Sequence, residues 1–193
     1  MCPQIDQPPP RDDGTRPVDL RRYGNPLDAL AADHYRQRLI LADLERLAAS
    51  IDRDNDDVAA LLMHIEIEMP MHTLDEDEDL FPLLRRRAAP EDRMDRLLAR
   101  LDAEHDSIKA LAAEVRDILR GVLAGDMPGD RTPLHGFTSA YRRHMILENA
   151  VLLSLARARL TQADLADLRS RMAARRGLDL ALETGPREDR NAQ

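Results

Sequence analysis

The chain has 193 residues, enough for one substantial hydrophobic core. With 28 basic against 36 acidic residues and a formal net charge of -8, it lacks the basic face that nucleic acid needs, and no apolar run of about 20 residues offers a membrane span. Aromatic residues make up 3% and tryptophan is missing, so Leu, Ala, Ile, Val and Met must form the core, which suits helices better than sheets.

Residues 1–24 are rich in Pro, Asp, Arg and Gly, lack the apolar centre of a secretory signal, and read as a flexible leader of a cytoplasmic protein. The lone cysteine, Cys2, falls in this leader, which excludes an internal disulfide. Asn25-Pro26 predicts a capped helix start, and Leu27, Leu30, His34, Leu41, Leu44 and Ala48 repeat on one helical face up to about Ser50. A second helix is expected from Asp56 to Ala88, kinked at Pro70 and again kinked or weakened at Pro82. Pro90 leads into a third, about Glu91 to Ala124, with the stripe Met94, Leu97, Leu101, His105, Ile108, Ala112, Val115 and Leu119. After the turn signal GDMPGDR, Thr132-Pro133 is expected to cap a fourth helix reaching Arg159. Thr161 should cap a short fifth that ends before Gly177. The chain thus reads as all-α. Residues 25–160 form an antiparallel up-down four-helix bundle, 161–182 a short C-terminal helical extension, and 183–193 a disordered tail.

Every long helix carries one histidine on its inward face. His34 lies seven residues from both Leu27 and Leu41; His105 lies between Leu101 and Ile108; His144 is seven from Phe137 and Val151. His72 shares a face with Glu76, and His144 shares one with Glu148, which is seven before Leu155. With turns centred near residues 53, 89 and 128, these groups fall about 16 to 23 residues from the turns, so they reach roughly one layer of the bundle. Buried glutamates among apolar side chains need a compensating charge. A pair of divalent metal ions supplies it and takes neutral imidazole nitrogens. Mixed nitrogen and carboxylate ligands suit iron best among common redox metals, while manganese and zinc fit the same ligand types.

Other polar residues stand near this layer. Gln37 is three after His34. Tyr141 is three before His144, either as a core tyrosine or as a group that orients a ligand. In the acidic run, Asp75, Glu78 and Asp79 read as a solvated face, although Asp79 is also spaced to accept a histidine N–H. His64 and His135 read as surface or bundle-end residues. Arg85, Arg86 and Arg87 suit the end of a helix.

Four stretches together resemble the hemerythrin-like, HHE cation-binding family: ADHYRQR around His34, HTLDEDEDLFP with His72 and Glu76, LDAEHDSIKAL with His105, and YRRHMILENAVLL with His144 and Glu148. The resemblance covers about residues 25–160. It implies a non-haem di-iron centre in a four-helix bundle, bridged by the two carboxylates and an oxo, hydroxo or water species. Oxygen-carrying members place a second histidine four residues after the one on the third helix. Lys109 stands there in this chain, either reaching solvent or, if deprotonated, serving as a ligand. Four histidines and two carboxylates count against simple oxygen carriage. The expected function is a di-iron protein that reacts with or senses O2, NO or peroxide, in iron or oxidative-stress handling. The other reading is a metal-stabilised regulatory or interaction module without turnover. Neither names a protein partner.

Overall fold

The computed structural model describes residues 14, 16–50, 54–126 and 128–178. Helix α1 spans Pro26–Ala49, and Asn25 caps it by accepting the Leu27 N–H at 2.9 Å. Helix α2 runs over residues 55–87, and Asp54 is its cap. Helix α3 is Met94–Leu123. Helix α4 runs over residues 132–159. Here the cap differs from expectation: Thr132 is already helical, and Asp130 accepts its N–H at 2.8 Å. Helix α5 is Gln162–Arg175, opened by a reciprocal capping box between Thr161 and Asp164. Gly177, at φ 64°, closes α5 and turns Leu178 back against the core.

The two prolines of α2 do not interrupt it. Each follows a π-helical segment, His64–Glu68 or Asp75–Leu80, and opens the α-helical segment after it. A proline ring presses on the carbonyl four residues back and leaves it without an N–H partner. The wider turns, closed by Met69 N–H to the His64 carbonyl and Phe81 N–H to the Glu76 carbonyl, take up that misfit. A third π segment, Glu148–Leu152, lies in α4 and has a consequence for packing. It advances the inward face by one residue, so Leu152 and Ala156 are buried, while Val151 is 37% exposed and Leu155 only partly covered. The expected inward face through Val151 and Leu155 is corrected accordingly.

The core is divided in two. One apolar cluster contains Leu27 and Leu30 of α1, Leu80 and Phe81 of α2, Leu98 and Leu101 of α3, and Leu152 and Ala156 of α4. The other contains Ile40 and Leu41, Ile65 and Met69, Ile108 and Val115, and Phe137 and Tyr141 of the same four helices. Successive helices cross these clusters in opposite order, which is the up-down antiparallel arrangement. In every helix the histidine described above lies between the two apolar stretches. α5 packs Leu168, Met172 and Ala173 onto the first cluster. Leu20 and Tyr23 join them there, so the end of the segment expected to be a loose leader is packed into the fold. Its earlier part, including Cys2, and the expected disordered tail 183–193 lie outside the described residues. Among the described residues no helix is long and apolar enough to cross a membrane.

Candidate metal centre

Between the two apolar clusters lies a buried polar layer. His34, His72, Glu76 and Glu148 offer ligand atoms all within 4.8 Å of one another, and so do Glu76, His105, His144 and Glu148. Both glutamates belong to both groups. Glu148 is 3.3 Å from His34 Nε2, 3.5 Å from His105 Nε2 and 2.7 Å from His144 Nε2. Glu76 is 3.6 Å from His72 Nε2 and 3.4 Å from His105 Nε2. The His34 and His72 Nε2 atoms are 3.1 Å apart. Four helices therefore deliver four imidazole nitrogens and two carboxylates to one volume. The i,i+4 spacing places two histidine–glutamate pairs there, on α2 and α4.

The carboxylates of this layer are incompletely satisfied among the described residues. Glu76 and Glu148 are fully buried, and among the described residues all four of their carboxylate oxygens lack a hydrogen bond of acceptable geometry despite the short approaches. Burial, and then the charge of Glu148, pushes the Glu76 carboxyl up to about 7. Burial also pushes His34 down to about 4, only partly opposed by Glu148, which favours the neutral ring. At His72 burial acts downward as well, but Glu76 and Asp33 outweigh it and raise the ring to about 9. Unpaired carboxylates in an apolar interior are costly. Facing imidazole nitrogens, they form the donor set that a pair of divalent cations fits.

The acceptors on the outer ring nitrogens escaped sequence reasoning. His72 Nδ1 meets Asp33 at 2.9 Å, His105 Nδ1 meets Asp77 at 2.7 Å, and His144 Nδ1 meets Glu104 at 3.0 Å. Each acid is next in sequence to one of the six central residues, yet it meets a ring on a neighbouring helix, Asp77 and Glu104 by a hydrogen bond and Asp33 at ion-pair distance. Such a bond leaves Nε2 free to face the centre and fixes the plane of the ring. Asp33 and Glu104 are held below the usual carboxylate range: burial opposes this, but His72 at Asp33, and Arg100 and His144 at Glu104, outweigh it. An acidic residue adjoining an inward histidine or glutamate was the signal available.

Other expected neighbours fall differently. Asp79 touches no histidine; Arg175 Nη1 holds it at 2.7 Å. Asp75 and Asp79 are buried beneath α5 and are not a solvated face, whereas the Glu78 side chain is 63% exposed. Gln37 is buried and donates weakly to Asp33 at 3.4 Å. His64 is buried, not superficial, with Nδ1 3.0 Å from Glu68, which also accepts two bonds from the buried Arg36. His135 is exposed. Tyr141 is buried, and its hydroxyl has no hydrogen-bond partner among the described residues.

A cavity of about 260 Å³ opens between α2 and α3 and reaches this layer. Pro70, Thr73, Lys109 and Ile108 line it, and His72, His105, His144 and Tyr141 form its inner wall. Lys109 is exposed there and has no hydrogen bond or ion pair among the described residues.

A search of curated proteins gave no match. The sequence pattern of the hemerythrin HHE cation-binding domain matches residues 25–156, a stretch that holds all four long helices up to the last turn of α4 and both ligand groups. The chain belongs to the hemerythrin HHE cation-binding family.

Proposed function

We propose that this protein is a non-haem di-iron protein that reacts with or senses a small diatomic molecule or peroxide. The observation that carries the reading is the pair of fully buried glutamates whose four oxygens lack hydrogen bonds among the described residues while four imidazoles face them. His34 and His72 would hold one ion, His105 and His144 the other, with Glu76 and Glu148 shared between them. Ferrous iron, when bound, supplies electrons to O2, NO or peroxide.

The chain's own residues prepare that encounter. Asp33, Asp77 and Glu104 keep three imidazoles in one orientation. The cavity admits a small molecule from the α2–α3 side, past Pro70 and Lys109. Tyr141 meets it with a hydroxyl that burial, and then the charge of Glu148, holds in the protonated form, so it donates a hydrogen bond. Lys109 places a cationic side chain at the entrance, where it attracts small anions.

The test is anaerobic loading with Fe(II), metal analysis, and mixing with NO or hydrogen peroxide while the optical spectrum is followed. About two iron ions per chain and a spectral change on mixing are expected. Iron below about 0.2 per chain would overturn the metal assignment, since a built site should fill in excess metal. Full loading with no response to either molecule would favour the metal-stabilised module instead.

A further inference from the structure

We infer that Arg175 and Arg176, at the end of α5, are positioning residues for Glu76, so that a helix C-terminal to the family domain forms part of the metal centre. The inference rests on the di-iron reading above. Asp75, beside Glu76, is fully buried. Arg176 gives it both terminal nitrogens, Nη1 to Oδ1 at 3.1 Å and Nη2 to Oδ2. Arg175 Nη1 bridges Asp75 Oδ1 and Asp79 Oδ2. Arg176 is itself tied back to α5 through the Met172 carbonyl at 2.9 Å.

Asp75 and Asp79 are the first and fifth residues of the π segment Asp75–Leu80, and Glu76 lies between them. A π turn has poorer intrinsic stability than the α-helix around it and persists where surrounding contacts impose it. Here two cations grip both ends of the turn from outside the bundle. The Glu76 carboxylate projects inward from the same turn. Pro82 keeps the turn wide, and the grip fixes where that turn stands against α5; with the grip removed, the segment loses its anchors and the Glu76 side chain is held less firmly against His72 and His105. The arginines are not what docks α5. Leu168, Met172 and Ala173 bury against the core, Arg87 binds Asp164 at 2.8 Å, and Arg169 donates to the Tyr23 carbonyl at 3.1 Å. A change confined to the two arginines therefore leaves α5 in place and acts on the turn.

The experiment compares the full chain with the Arg175→Gln/Arg176→Gln variant. Both are loaded with Fe(II), and in parallel with Co(II), whose visible bands report ligand geometry. Expected are release of metal to a chelator at least about tenfold faster in the variant and altered Co(II) bands; the metal-free melting temperature falls as well, because Asp75 is left buried without its cations, so both chains are compared at a temperature where each is folded. Arg175→Gln alone, with Arg176 still on Asp75, should lie between the two. Arg171→Gln, whose guanidinium stands 3.9 Å from Asp79, should behave as the parent chain. Unchanged release and unchanged bands in the double variant, with the parent fully loaded, overturn this inference alone. A parent chain that takes up no metal overturns it together with the di-iron reading. A double variant too unstable to load, with Arg175→Gln indistinguishable from the parent, also counts against it, as a general structural role.

Discussion

Glu76 and Glu148 stand in the same local setting on two different helices: the main-chain carbonyl of each accepts the N–H of the residue five along, Phe81 on α2 and Leu153 on α4. Glu148 opens its π segment, and Glu76 is the second residue of its own. Each also follows its histidine by four residues, so a regular α-helical pair is succeeded at once by a widened turn. The arrangement directs imidazole and carboxylate to the same layer and then shifts the helix phase, so the next inward residues, Leu80 and Leu152, are apolar and fully buried.

On the di-iron reading, Glu76, buried with no hydrogen bond among the described residues, destabilises the metal-free chain and would anchor metal in the loaded one. The two roles have opposite signs. Glu76→Gln should raise the metal-free stability by about 1–2 kcal/mol and lower the bound iron from about two ions to below about one, since a shared ligand serves both. Calorimetry and metal analysis on the same sample check this. His135→Ala, at an exposed position, should change neither quantity.

The acids on the outer ring nitrogens act through the histidines they hold. Asp33→Asn and Glu104→Gln should each weaken metal retention by about 10–100-fold without removing a ligand. Competition with a chromophoric chelator measures it. Retention equal to the parent in both variants would show that the ring orientations are set by packing alone.

Lys109 is exposed at the cavity mouth, with His105 one turn away on α3. Lys109→Met should keep iron to within about 20% of the parent, because an ammonium reaching solvent ligates nothing. It should also weaken azide binding, because the entrance loses its cation. Lys109→His adds an imidazole on the face of His105 and should slow reaction with peroxide while improving iron retention. Loss of half the iron in Lys109→Met would identify the lysine as a ligand.

The loaded chain should gain in stability over the metal-free one as pH rises between about 6.5 and 9. In the metal-free chain His72 is raised from 6.5 to about 9, so within that window the folded state binds more protons than the unfolded. Its contribution is complete below 6.5 and lost as pH rises through about 9, and the melting temperature should fall on the order of 5 °C. Metal replaces those protons, so the loaded chain should gain relative to the metal-free one over the same range. Parallel melting curves with and without chelator test this; a gap that narrows with rising pH would refute it.

The sequence made the central layer visible because His34, His105 and His144 sit on apolar stripes at helical spacing, and Glu76 and Glu148 each follow a histidine by four residues. His34 between Leu30 and Leu41, or His105 between Leu101 and Ile108, needs only a period of 3.6 to be placed. What stayed hidden depends on departures from that period or on cross-helix geometry. The π turn after Glu148 moved burial from Val151 to Leu152, and no local residue type announces such a turn. Asp75 and Asp79 look solvated until α5 is laid over them. His64 looks peripheral until Arg36 and Glu68 close around it. The helix ends were legible at Asn25 and Thr161, where the capping side chain is local, and less so at Thr132, where Asp130 takes the role.

The acid–histidine ties also bear on how the chain comes together. Asp33 to His72, Asp77 to His105 and Glu104 to His144 each join helices consecutive in sequence, and the spans they close are similar and short. The grip of Arg175 on Asp75 instead closes a separation of 100 residues. Closing entropy grows with span, and contacts between consecutive helices form fastest. Closure entropy therefore favours the three hairpin contacts ahead of the long closure by α5, which would lock the turn that carries Glu76 last. On that order, a nascent chain still lacking its final residues already holds its histidines in register, and completion of the carboxylate setting coincides with completion of the fold.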